Sequence, residues 1–380
     1  MPGPLQGLRI VEMVGLGPAP FAAMMLADAG AEVIRVHQKG QRPEIPLMNT
    51  RFDVLARGRR SIALDLKAEA DRAVMLDLVA RADGLIEGFR PGVMERLGLG
   101  PDVCLSHNPR LAYGRMTGWG QEGPLSDTAG HDLNYLGATG ALAAMGPADA
   151  PPPVPLNLVA DFGGGGMLMA FGMVAAILGA KASGRGQVVD AAMTDGASLL
   201  SAMFWGFRAG GLWDAAREAN LLDGGAYFYA TYACADGKFL AVAPVERKFH
   251  QILIEKLGLE AAEFTHVNDP AAWGRLRSRL AEIFRQQPRD HWTALFAGTD
   301  ACVTPILDWD EAATHPQAQA RTAFVTMDGV LQPAPAPRFV ATPSVVAHGP
   351  AAPGAHSREI LADWGLDPRR LDEPTADNVH

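Results

Sequence analysis

The stretch LRIVEMVGLGPAPFAAMMLADAGAEVIRV, residues 8–36, decides the fold. Residues 8–14 form a short apolar run with β-branched side chains, the pattern of a buried strand. Gly15-Leu16-Gly17-Pro18 turns the chain, and residues 21–29 read as a helix closed by Gly30. A second strand follows over 32–36. A strand, a helix and a strand in so little chain make a βαβ unit, which predicts a parallel sheet with helices on its faces. The loop Gly15-x-Gly17-x-x-Pro20 looks like a damaged dinucleotide fingerprint. Its third glycine is missing, and the second strand runs into Arg35-Val36-His37, without the acid that would hold a ribose hydroxyl. Both departures argue against a nicotinamide enzyme.

Downstream, the same alternation continues. Strands are expected over 62–66, 84–87, 111–117 and 184–192, with helices over 68–82 and 194–209. The run 167–180 is apolar but too short to span a bilayer comfortably, so a buried helix is expected. Near Tyr227 the texture changes. Ala235-Asp236-Gly237-Lys238 lies between two apolar runs, a strong hairpin signal, and helices follow over 247–257, 271–286 and 289–297, with a strand over 301–307. Residues 331–343 read as proline-punctuated and extended, 357–364 as a last helix, and the tail after Pro374 as loose. The expected organisation is a large Rossmann-like α/β domain over 1–200, a linker over 201–224, a small α+β domain over 225–323, and a return to the large domain over 324–380.

The chain has 380 residues and a net charge of −9, which makes nucleic acid an unlikely general partner. Cys104, Cys234 and Cys302 are far apart and form no metal spacing; with no basic, apolar leader at the N-terminus, a reducing, cytoplasmic setting is expected. No metal, no redox cofactor and no membrane partner is expected. One region reverses the global charge. Between Arg35 and Lys67 there are eight basic residues (Arg35, Lys39, Arg42, Arg51, Arg57, Arg59, Arg60, Lys67) against Glu44, Asp53 and Asp65. That excess suits a polyanion such as a nucleotide phosphate, or a merely solvated face. The loop Gly88-Phe89-Arg90-Pro91-Gly92 follows a strand, where open α/β sheets bind ligands, so Arg90 and the nearby Arg96 are anion candidates.

The chemistry is expected between residues 130 and 166. Gly130-His131-Asp132-Leu133-Asn134-Tyr135 opens this stretch, and Ala160-Asp161-Phe162 followed by four glycines closes it. Each end places an ionisable side chain where a helix is expected to begin, in the field of unpaired N–H groups. His131 and Asp161 could carry protons to and from one substrate atom, and both positions also suit ordinary capping residues. The glycines would let a ligand approach the backbone.

The ordered set GPLQGLRIVEMV, LADAGAEVIRV, SIALDLK, LIEGFRPGVMERLGLG, MTGWGQEGP, GHDLNY, LNLVADFGGGGM, GQVVDAAMTDG and ACVTPIL resembles the family III CoA-transferase (CaiB/BaiF-like) superfamily, and within it the racemase branch. The resemblance runs from about residue 4 to 366. It implies an acyl-CoA thioester as substrate, with CoA as its carrier and no separate cofactor. It also implies an interlocked homodimer, with each active site between the large domain of one subunit and the small domain of the other. Carried over by motif, the CoA contacts fall on Leu64, Asp65, Leu66 and Lys67, on Gly88, Phe89, Arg90 and Arg96, and on Gly130, Asp132, Leu133, Asn134 and Tyr135. Similar racemases can carry Arg after the second strand, where this chain has Gln38-Lys39. Transferases of the superfamily use an Asp nucleophile at the position matching Asp161; the racemases add a His in the GHD motif, here His131, and Glu246 matches a glutamate near that His. Having both His131 and Asp161 favours inversion of a carbon α to the thioester, through an enolate, with one acid and one base on opposite faces. The rivals are CoA transfer through Asp161, a nicotinamide dehydrogenase, and a non-catalytic CoA-binding protein.

Overall fold

The computed structural model describes residues 3–40, 45–264 and 269–371. The expectation for the tail after Pro374 lies outside these residues. The chain divides into two compact units, one made of Met1–Thr139, Pro155–Leu200 and Gln319–His380, the other of Gly140–Val154 and Ser201–Ala318.

The first unit is the expected α/β body. Its elements run β1 (Arg9–Met13), α1 (Pro18–Asp28), β2 (Glu32–Gln38), β3 (Arg60–Leu64), α2 (Glu69–Val79), β4 (Gly84–Glu87), α3 (Val93–Arg96), α4 (Pro101–His107), β5 (Ala112–Thr117), α5 (Asp132–Gly137), a π-helix over Leu158–Met167, α6 (Leu168–Ser183), β6 (Gln187–Ala192) and α7 (Met193–Leu200). The six strands are all parallel, in the order β3-β2-β1-β4-β5-β6. Val11, Met13, Ile34, Val36, Ile62, Leu64 and Leu85 cluster with Val74, Met75 and Leu78 of α2 and with Ile360, Leu361 and Trp364 near the C-terminal end. The other face carries α1, the π-helix and α6. With both faces covered, the strands read as apolar runs rather than alternating ones. The order reverses between β1 and β4, and such a switch point opens a crevice beyond the carboxyl ends of the strands.

The second unit contains α8 (Ala202–Ala209) and an antiparallel sheet of β7 (Ala230–Ala233), β8 (Phe239–Val242) and β9 (Val303–Ile306), in that order. Its core joins Tyr227, Phe228, Leu240 and Val242 to Leu253 of α9 (Arg247–Lys256), to Leu276, Leu280 and Phe284 of α10 (Pro270–Phe284), and to Trp292 and Phe296 of α11 (Arg289–Phe296).

Three local expectations change. The helix expected over 194–209 is two helices, because Ser201 leaves helical geometry at φ −90, ψ 8; the division between the units falls at the same residue. The segment 331–343 is extended at its start as expected, but that start is paired: Phe324–Met327 pairs with Val330–Pro333 as a hairpin of the first unit. Its two-residue turn, Asp328-Gly329, has φ 51 and 76, the doubly left-handed geometry that Asp-Gly accepts. The apolar run beginning at Met167 is part of a continuous helix over Leu158–Ser183, long and apolar enough by length and composition to cross a membrane. It is buried on one side only. Met169, Met173 and Ile177 are inside, whereas Met167, Phe171, Val174 and Leu178 face outward, Phe171 at 72% exposure.

Candidate active site

The loop after β1 reaches the switch point from one side. Gly17 caps α1 at φ +68, a left-handed position that favours glycine. A Cβ there would stand 3.3 Å from Asp161 Oδ2, so the missing side chain also leaves room for that carboxylate. The π-helix carrying Asp161 is held against α7 by backbone contact: a Cβ on Gly196 would lie 1.8 Å from the Gly164 carbonyl oxygen. Only a glycine pair lets these two segments approach so closely. Phe162 packs on Phe21 of α1, ring centres 4.9 Å apart. A π-helix is rare and is often found at functional sites.

Both ionisable residues stand at helix starts, as expected, but at different positions. His131 is the N-cap of α5, exposed, with its backbone N–H donated to Asn134 Oδ1 at 3.0 Å. Asp161 is not a cap; the π-helix begins at Leu158 with Asn157 as its N-cap, so Asp161 sits in the first turn. The residue joining the two is Asp132. Its Oδ1 accepts the N–H of Ala160 at 2.9 Å and of Asp161 at 2.7 Å, while its Oδ2 is buried without a hydrogen-bond partner. The carboxylate next to His131 thus caps the turn that presents Asp161, an i to i+29 link that no local pattern reveals. This side chain, expected at CoA, is engaged within the protein.

Electrostatics tie the group together. Burial pushes the Asp161 carboxyl above its ordinary range; Asn157, donating from Nδ2 at 3.3 Å, opposes the rise, the Asp132 charge adds to it, and His131 opposes it. The Tyr135 hydroxyl donates to the Gly130 carbonyl, and its ring packs edge-on against Trp119 at 4.9 Å. Burial raises the Tyr135 pKa, the Asp161 charge adds to the rise and Arg90 opposes it. Tyr135 is therefore in the fields of Asp161 and Arg90, and Asp161 in those of Asp132 and His131. Leu133, Asn134 and Gly130 complete the motif; Leu133 and Asn134 are exposed.

The remaining expected CoA contacts stand at the end of β3 and in the segment after it, in the loop after β4, and on α3. Arg90 and Gly88 are exposed in the loop after β4, and Arg96 folds back so that its Nη1 would lie 3.0 Å from a Cβ on Gly92. The Phe89 N–H is held by the buried Glu87, whose carboxylate accepts it at 2.7 Å. Of the SIALDLK residues, Leu64 and Leu66 have buried side chains in the core, and the Leu64 carbonyl accepts the Lys39 N–H at 3.1 Å; Asp65 accepts from Gln38 Nε2 at 3.0 Å, and Lys67 is exposed.

The basic cluster between Arg35 and Lys67 is largely not an anion patch, nor a solvated face. Arg35 and Arg59 are buried against Glu12, at 3.4 and 2.9 Å. Arg57 is buried against Asp28 at 2.6 Å, Arg60 pairs with Glu32 and Asp363, and Lys39 pairs with Asp71 at 2.8 Å. The neutralising acids come from distant parts of the chain, so a local count of charges overstated the field. Burial raises the Glu12 pKa, opposed by Arg59 and then Arg35. Arg51 and Lys67 remain exposed, and Arg42 lies outside the described residues.

Glu246 belongs to the second unit, as the N-cap of α9. Its carbonyl accepts the N–H groups of Phe249 and His250, both at 3.0 Å, and its charge reaches Cys302, whose thiol pKa is raised mainly by burial. Among the described residues, no group of three His, Cys, Asp or Glu side chains is arranged to hold a metal ion.

Comparison with known proteins agrees with this architecture. Residues 5–357 match the model of CoA-transferase family III. The chain is similar to the alpha-methylacyl-CoA racemase of Mus musculus, 43% identical over 378 residues covering 99% of this chain and 97% of that protein. Its likeness to the alpha-methylacyl-CoA racemase of Homo sapiens is 41% over the same length and the same shares. A crystal structure of a CaiB/BaiF family protein from Brucella suis superposes with a TM-score of 0.82 at 26% identity, covering 96% of this chain and all of that one. With the six-stranded parallel sheet and a match over nearly the whole chain, this protein belongs to CoA-transferase family III.

Proposed function

We propose that this protein is an alpha-methylacyl-CoA racemase, which interconverts the (2R) and (2S) forms of 2-methylacyl-CoA thioesters by 1,1-proton transfer. The observation that carries this reading is the coupling of His131 to Asp161 through Asp132. A thioester acidifies its α-proton because the carbanion delocalises into an enolate. Inversion then needs a base on one face and an acid on the other, exchanging roles with direction. The N–H groups of Asp132 and Leu133, in the first turn of α5, suit a developing enolate oxygen. The raised pKa of Asp161 supports proton carriage, since a carboxyl acting as donor must hold its proton near working pH. A transferase would instead want Asp161 ionised as a nucleophile. The similarity to racemases over the whole chain favours the same choice.

The chemistry requires no cofactor beyond the CoA already joined to the substrate. The outward apolar stripe of Met167, Phe171, Val174 and Leu178 supports a homodimer, the assembly in which Glu246 would act. The three free cysteines suit a cytoplasmic setting, and a 2-methylacyl-CoA substrate suits a role in fatty-acid metabolism. The test is α-deuterium incorporation from deuterated water into each enantiomer of a 2-methylacyl-CoA, followed by NMR. Wild-type protein should exchange both. His131→Ala and Asp161→Ala should each lose racemisation and keep exchange in opposite enantiomers. CoA exchange between two acids without α-exchange would overturn the reading in favour of transfer.

A further inference from the structure

We propose that Arg115 is the positioning residue for the CoA-binding arginines, an inference that rests on the CoA reading above. Arg115 is on β5, where it is the register partner of Glu87 on β4. Register partners on neighbouring parallel strands point to the same face, so the guanidinium of one meets the carboxylate of the other without a detour. Arg115 Nε donates to Glu87 Oε1 at 3.2 Å. The second oxygen of Glu87 takes the Phe89 N–H, which fixes the first turn of the loop carrying Arg90. The far end of the same guanidinium holds Glu95 of α3, with Nη1 2.9 Å from Oε1 and Nη2 3.3 Å from Oε2. Glu95 immediately precedes Arg96. One planar, permanently charged group therefore ties the loop bearing Arg90 to the helix bearing Arg96.

Arg115 itself is nearly buried, and its guanidinium is occupied on two sides by carboxylates, so its effect on a ligand is indirect. The arrangement matters because Arg90 and Arg96 are exposed, and the loop between them has a left-handed turn at Gly92, φ +79. Two exposed arginines on a short loop and a four-residue helix keep a fixed separation only if something beneath them is rigid. Lysine cannot reproduce the bridge, since an ammonium has no planar fork to span both carboxylates. The titratable and charged groups facing Glu87 are Arg115 and the neutral Tyr113 of β5 and Glu95 of α3, and burial lifts the Glu87 pKa to about 7. Protonation would turn one of its two acceptor oxygens into a donor and release one arm of the bridge.

The test measures free CoA by titration calorimetry on full-length wild type, Arg115→Lys, Glu95→Gln, Arg96→Ala and the Arg115→Lys/Arg96→Ala pair. Arg115→Lys should weaken CoA about tenfold and Glu95→Gln about threefold, with the loss in racemisation falling on KM more than on kcat. In the Arg96→Ala background the Arg115→Lys effect should shrink to under about threefold, because residues acting through one another are not additive. Glu95 is half-exposed, so Glu95→Gln keeps the idea falsifiable if Arg115→Lys does not fold. Unchanged CoA affinity in folded Arg115→Lys or Glu95→Gln, or full additivity with Arg96→Ala, overturns the assignment while leaving the CoA reading intact. Absence of CoA binding by the wild type overturns both.

Discussion

Replacing Asp132 separates the capping of the Asp161 turn from the charge beside it. Asp132→Ala removes the acceptor of two backbone N–H groups, those of the fully buried Ala160 and the half-buried Asp161. Each stranded donor costs about 1–3 kcal/mol. Part of that is offset, because the Oδ2 oxygen, buried without a partner, disappears as well. The net loss for Asp132→Ala should be about 2–4 kcal/mol of folding stability. Asp132→Asn keeps an oxygen that can accept both N–H groups, so its loss should be about 1 kcal/mol. The functional readouts divide differently. The Asp132 charge is one of the causes holding the Asp161 pKa up, so both variants should lower that pKa toward the ordinary carboxylate range. The acid-side inflection of kcat/KM should therefore move to lower pH in both. Asp132→Ala should in addition lose about ten- to a hundredfold in rate, since the turn presenting Asp161 is no longer fixed. Because the enantiomers interconvert at a fixed equilibrium constant, kcat/KM must fall by the same factor in both directions. Urea unfolding and α-deuterium exchange across pH measure all of this. Equal stability of the two variants, with an unmoved inflection, would refute the capping and the electrostatic arguments together.

Two further outcomes are expected. Burial raises the Glu87 pKa from 4.5 to about 7, so between those values the folded protein binds a proton that the unfolded chain has released; this group's contribution to stability is lost as pH rises through that window, and Glu87→Gln should flatten the slope of unfolding free energy against pH relative to wild type. The outward apolar stripe should make the wild type sediment as a dimer at assay concentrations, Phe171→Asp should shift it toward monomer, and Glu246→Gln should reduce turnover with the fold intact; a fully active monomer would remove the assembly, and wild-type turnover in Glu246→Gln would remove that residue's role.

The fold class was legible because it depends on local patterns. The run 8–36 has two short apolar strand runs joined by a glycine turn and a helix closed by Gly30, and this βαβ order implies a parallel sheet. The strand over 84–87 coincides with β4, and the Asp-Gly turn at 236–237 joins β7 to β8. The same signal stands at Asp328-Gly329, but the prolines after it drew the reading toward extended chain and the hairpin was missed. His131 and Asp161 were singled out from glycine-flanked motifs, and Arg90 from its place after a strand. What the chain order could not show is which distant side chains meet. The basic run from Arg35 to Lys67 read as an anion site or a solvated face until Glu12, Asp28, Asp71 and Asp363 arrived beside it. Asp132 was read as a ligand contact, yet its carboxylate reaches 29 residues ahead to cap the Asp161 turn. Glu87 and Arg115 carry no local signal at all; the parallel register of β4 and β5 places them together. Backbone periodicity is short-ranged and is written in the sequence, whereas hydrogen bonds and ion pairs act over a few ångströms in space, so their partners exist only once the sheet has set the strands in order.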